Sequence, residues 1–141
     1  MVETHLVAGA GYTFSAPHGW EVSRQPHGVS VARPGSDSDL VSVSRYRLPR
    51  VPTAREIDAA ADSLARRLRG RVVAGKWVHV AARRSRQFEI AYAVRGEELG
   101  VRLTFVIEGR REFQLLCRWQ APPVEEITTA CEQLHSSFRL V

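Results

Sequence analysis

The chain has 141 residues, enough for one hydrophobic core and too few for a comfortable second domain. Apolar residues make up 44% and charged residues 25%, the balance of an ordinary soluble protein, and no apolar run reaches the length that spans a bilayer. The net charge of +5 comes from 20 basic against 15 acidic residues with Lys76 the only lysine, and this arginine excess falls in short clusters beside acids or at element ends, which argues against a nucleic-acid partner.

Glu3 stands where a signal peptide carries basic residues, and the apolar stretch after it is short and broken by Gly9 and Gly11, so a cytoplasmic location is expected. Residues 12–16 alternate as a half-buried strand does. Pro17-His18-Gly19 is expected to turn the chain into a second strand from Trp20, making a first hairpin with Phe14 and Trp20 facing the core and His18 at the tip. A third strand follows Gly28, Pro34 to Asp39 forms a loop, and a fourth strand runs from Leu40 to Leu48.

Thr53 and Glu56 have the spacing of a capping box, so a helix starts there. Ile57, Ala60, Ala61, Leu64, Ala65 and Leu68 recur at helical spacing, and Gly70 is a plausible stop. Four more strands follow, near residues 72–81, 88–94, 101–107 and 113–119, with hairpin connections at Gly96-Glu97-Glu98 and Gly109-Arg110-Arg111. The alternation predicts one apolar face carrying Val101, Leu103, Phe105 and Ile107 beside Phe113, Leu115, Cys117 and Trp119. The opposite face is expected to hold Arg102, Thr104, Val106 and Glu108 beside Gln114, Leu116, Arg118 and Gln120. After Pro122-Pro123, a second helix places Val124, Ile127, Cys131, Leu134 and Phe138 on one seam that covers the sheet.

Catalytic, cofactor-binding and metal constellations are not recognised. No histidine pair has the spacing of two ligands on a helix, and there is no Cys-x-x-Cys, nucleophile elbow or phosphate loop. Asp37 with Asp39 and Glu97 with Glu98 read as solvated turn carboxylates. Cys117 and Cys131 are expected to be neighbours in the core. They are open to three readings: two buried thiols, favoured by the burial habit of cysteine and a reducing compartment, a disulfide, or a redox pair.

Two segments also carry a family likeness. Tyr12-Thr-Phe14-Ser-Ala-Pro17-His-Gly19-Trp20 resembles the opening of the Mog/PsbP-like superfamily, which includes small bacterial domains and lipoproteins of the LpqN type. The stretch Glu112 to Cys117, followed by a helix and Ser137-Phe138-Arg139, is similar to its ending. The resemblance spans about residues 10–140 and implies a single domain of α+β class: an α/β/α sandwich around an antiparallel sheet of about six to eight strands with two main helices. It also implies a non-catalytic protein-binding accessory or adaptor role, with no cofactor. The partner is then another protein, with a homodimer as one possibility, and a surface bearing Arg83, Arg84, Arg86, Arg102 and Arg118 is the candidate meeting face. Alternatives are a small-ligand-binding protein or enzyme with a pocket between sheet and helix, and a chaperone of Eag type for a secreted effector.

Overall fold

The computed structural model describes residues 3–141; Met1 and Val2 of the N-terminal stretch read above lie outside the described residues. In chain order the elements are β1 (Thr4–Gly9), β2 (Tyr12–Pro17), β3 (Glu21–Gln25), β4 (Gly28–Ala32), β5 (Leu40–Arg47), α1 (Ala54–Arg67), β6 (Arg71–Val80), β7 (Arg83–Val94), β8 (Glu97–Glu108), β9 (Arg111–Gln120), α2 (Glu125–Ser137) and β10 (Arg139–Leu140). β3 to β9 build a seven-stranded sheet in the order β3-β4-β5-β9-β8-β7-β6, and β1, β2 and β10 form a separate three-stranded sheet. All pairings are antiparallel. The α+β class and the strand count of the main sheet agree with the sequence.

Helix α1 begins where the capping box places it. The Thr53 side chain accepts from the Glu56 amide, and the Glu56 carboxylate accepts from the Thr53 amide. Arg50, gripping both carboxylate oxygens, is the main reason that Glu56 is lowered to about 2, with the Thr53 amide adding to it. Ile57, Ala61 and Ala65 face Phe88, Ile90, Val101, Leu103 and Phe105 in one core. On the other side, Ile127, Ala130, Cys131 and Leu134 of α2 and Phe138 pack with Val41 and Val43 of β5, Phe113 and Leu115 of β9, and Tyr12 and Phe14 of β2. The main sheet therefore buries both faces, one under each helix.

This corrects the expected distribution of faces. Gly109 and Arg110 alone connect β8 to β9, since Glu108 pairs with Arg111. Cross-strand partners across so short a turn have residue numbers of opposite parity, and partners share a face. Leu103 thus lies beside Leu116 on the α1 side, whereas Thr104 lies beside Leu115 and Arg102 beside Cys117 on the α2 side. The apolar odd residues of β8 and those of β9 serve different cores.

The N-terminal hairpin is also different from expectation. β2 pairs with β1, a strand the sequence reading did not mark, and with β10, while β3 pairs with β4. Residues 18–20 are thus a crossing between sheets and not a hairpin tip. The true turn is at Ala10-Gly11, where Gly11 has φ 85°, a left-handed conformation that glycine adopts without steric cost. Trp20 packs at the margin of the α2-side core, partly buried, whereas Phe14 is wholly buried.

Burial separates these two aromatics in energy. Phe14→Ala is expected to cost about 3–5 kcal/mol and Trp20→Ala clearly less. Chemical denaturation of the two variants checks this order, and a greater loss for Trp20→Ala would contradict it.

Candidate functional site

Parity of the sheet brings a polar group of residues under α2, within an otherwise apolar face. Glu89 and Gln87 of β7, Arg102 and Thr104 of β8 and Cys117 of β9 all point to this side, opposite Cys131 and His135, which are one helical turn apart on α2. Cys117 and Cys131 are joined in a disulfide with their Cα atoms 5.8 Å apart. The favoured expectation of two free thiols is thereby corrected. The helix seam and the inward face of β9 meet closely enough to place both sulfurs in bonding contact.

His135 sits beside the disulfide in a defined tautomer. Its Nδ1 is 2.8 Å from the Cys131 carbonyl oxygen, which only accepts, so Nδ1 carries the proton. Nε2, 2.8 Å from the Thr104 hydroxyl, then accepts from it, and Gln87 Nε2 donates to Thr104 Oγ1 at 3.0 Å. Burial pushes the His135 pKa below its usual value, the Cys131 carbonyl opposes this, and the Arg102 charge adds to the lowering. Arg102 itself is held by Glu89 at 2.8 Å, with its guanidinium 4.0 Å from the Cys131 sulfur.

The ligand atoms of Cys117, Cys131 and His135 lie within 4.8 Å of one another. Their chemistry does not suit a cation in this state: the sulfurs are bonded to each other and offer no thiolate, and both imidazole nitrogens are engaged. The cleft beside Cys131, between Arg102, Trp119 and Ile127, has a volume of about 50 Å³, room for water and little more. A larger surface cleft of about 560 Å³ lies farther along the same strands, where Trp119 rests on Gly100 so closely that a Cβ there would stand 2.5 Å from the indole. Ala91 and Ala93 line it too, with Arg71 and Glu98 at its rim.

The five arginines proposed as one partner face are divided. Arg84, Arg86 and Arg118 fall on the α1 side, and Arg83 and Arg102 on the α2 side. Most are committed within the chain. Arg83 pairs with Glu108 at 2.7 Å, Arg86 with Asp58 of α1 at 3.1 Å and Arg102 with Glu89, while Arg118 donates to the Ser38 carbonyl at 2.8 Å. Arg84 lies over the Trp77 ring, 4.1 Å from its centroid, and has no carboxylate partner among the described residues.

Sequence reasoning missed Asp39. Read as a solvated turn acid, it is buried, pairs with Arg33 at 2.8 Å and accepts from the Gln120 amide, tying the β4–β5 loop to the end of β9. The neighbouring Arg33 and a strand start at Leu40 were its available signal.

No family model matches the chain, and no curated protein matches it in sequence. Solved structures do match in shape. The cyanobacterial PsbP protein CyanoP from Synechocystis sp. PCC 6803 superposes with a TM-score of 0.73 at 11% identity, covering 100% of this chain and 94% of its own. A protein from Bacteroides thetaiotaomicron VPI-5482 gives 0.70 at 9% identity, covering 99% of this chain and 48% of its own. LpqN of Mycobacterium tuberculosis, described as involved in cell envelope biogenesis, gives 0.62 at 10% identity, covering 99% of this chain and 91% of its own. The fold is PsbP-like.

The disulfide closes a loop with a sequence separation of 14, for which the chain-entropy contribution is about 3 kcal/mol. Reduction, or the Cys117→Ala/Cys131→Ala pair, is expected to lower stability by about that amount, and mass spectrometry should show two hydrogens gained on reduction of the denatured wild-type chain. His135 provides a pH signature. Its folded pKa is depressed, so the stability due to neutral His135 is present above the unfolded value near 6.5 and declines as pH falls toward the folded one. A wild-type denaturation series from pH 8 to pH 5 should show that decline, and His135→Gln should flatten it.

Proposed function

We propose that the chain is a non-catalytic protein-binding accessory domain that works in an oxidising compartment. The observation carrying this reading is the commitment of most of its buried polar side chains to one another, Arg83 Nε and Gln133 Oε1 excepted. Cys117 is bonded to Cys131, Arg102 is paired with Glu89 and Asp39 with Arg33, and Thr104, whose hydroxyl donates to His135, is fully buried beneath α2, out of reach of a substrate. Both sheet-to-helix interfaces are filled by side chains where a ligand pocket would open.

The compartment departs from the cytoplasmic expectation drawn from the first residues. Support comes from the disulfide, a bond that reducing compartments do not maintain. An envelope role like that of LpqN is compatible with it, though the likeness at 10% identity concerns the fold. Membership of the wider Mog/PsbP-like superfamily belongs to the same proposal. A small ligand bound in a surface cleft such as the one beside Trp119 is the competing reading.

Cross-linking in the native cell followed by mass spectrometry tests the two. A reproducible protein partner attached at a consistent set of surface positions is expected. Recovery of the chain alone, together with a small molecule that raises its thermal midpoint and loses that effect in Trp119→Ala, would overturn the protein-binding reading.

A further inference from the structure

The main sheet ends in two open edges, β3 and β6. β3 has five residues and carries both an acid and a base, Glu21 and Arg24, the latter donating to the Ala8 carbonyl. β6 has 10 residues, among them Arg71, Lys76 and His79 and no acidic residue. Residues 73–77 are consecutively exposed, and among the described residues no hydrogen bond from another element reaches the backbone of β6 except from β7. Long, exposed edges of this kind are templates for another strand, and proteins that avoid such pairing keep them short or covered.

Beside the edge stands the group of side chains that the fold leaves unspent. Trp77 is 42% exposed, high for so large an apolar side chain, and it is flanked by the Arg84 guanidinium at 4.1 Å and that of Arg86 at 5.3 Å. Arg86 is neutralised by Asp58, whereas Arg84 has no carboxylate partner among the described residues. An exposed tryptophan paired with arginine is the composition that concentrates binding energy in protein interfaces. The bulge between Val72 and Ala74 interrupts the ladder at the start of β6, leaving Ala74 to Val80 as the regular stretch.

We propose that β6 is the docking edge for an extended acidic segment of another protein, which adds as a strand beside residues 74–80 and sets carboxylates against Arg84, on the same face as Trp77. The backbone ladder supplies affinity, and because strand side chains alternate, acids at every second position select the Trp77 face. This inference rests on the accessory-domain reading and specifies its surface. Charge complementarity distinguishes the occupant: a second copy of the chain would set one base-only β6 against another, like charge facing like.

The test uses a capped peptide of about eight residues in which glutamate alternates with threonine and valine, and a control with lysine in place of glutamate. Amide NMR shifts should move at residues 74–80 with the acidic peptide only, and binding should weaken with salt. Trp77→Ala and Arg84→Glu, both at exposed positions, should keep the wild-type thermal midpoint and lower affinity about tenfold or more. Equal binding of both peptides, shifts confined to other residues, no binding at all, or a concentration-dependent dimer occupying β6 would each overturn the proposal. A native partner cross-linked elsewhere on the surface would also overturn it while leaving the accessory function intact.

Discussion

Period-two alternation along the central strands, combined with reverse turns of two residues, governs the rest of this molecule. Each of β7, β8 and β9 must supply one set of side chains to α1 and the other to α2. The turns at Arg95-Gly96 and Gly109-Arg110 fix which set goes where, and one inserted residue in either would exchange the two cores along the following strand. The pairing also decides where polar residues end up. Arg102 and Thr104 sit on the second helix side because Leu103 and Phe105 are needed on the first.

That placement converts a liability into a joint. Polar side chains under a helix need partners, and here Glu89, Thr104, Gln87 and the Cys131 carbonyl supply them. The disulfide fastens the same helix to the strand below it. These polar groups beneath α2 are consequently paired with one another, and the open features of the sheet, the β6 edge and the Trp119 cleft, lie away from them.

Local signals in the sequence were legible and long-range ones only in part. Thr53 and Glu56 announce the helix start because a capping box is a contact within one turn. The apolar alternation of β8 was likewise legible, and Val101, Leu103 and Phe105 do lie together in one core. The face of β9 was not, since register depends on counting the turn and not on hydrophobicity alone. The turn between β6 and β7 had no glycine to mark it, because Ala81 and Ala82 take φ of 50° and 60° there, a conformation rare for residues with a Cβ. Arg83, Arg84 and Arg86 consequently looked like one surface cluster, although a strand deals them to two faces. The sulfur pair was located but its bond was not, as burial favours thiols and disulfides alike.

The small sheet joins the two ends of the chain. Leu140 pairs with Tyr12, the Val141 amide reaches the Gly11 carbonyl, and the Ser15 amide is met by Ser137 on the last helix. The buried side of β2, with Tyr12 and Phe14, has its partners among residues far along the chain: Phe113, Leu134 and Phe138. During synthesis the β1–β2 hairpin is made well before α2 and β10, which complete it, holding two aromatic rings without a home until α2 emerges. Anything that shelters that hairpin meanwhile acts on the order of assembly, not on the finished fold.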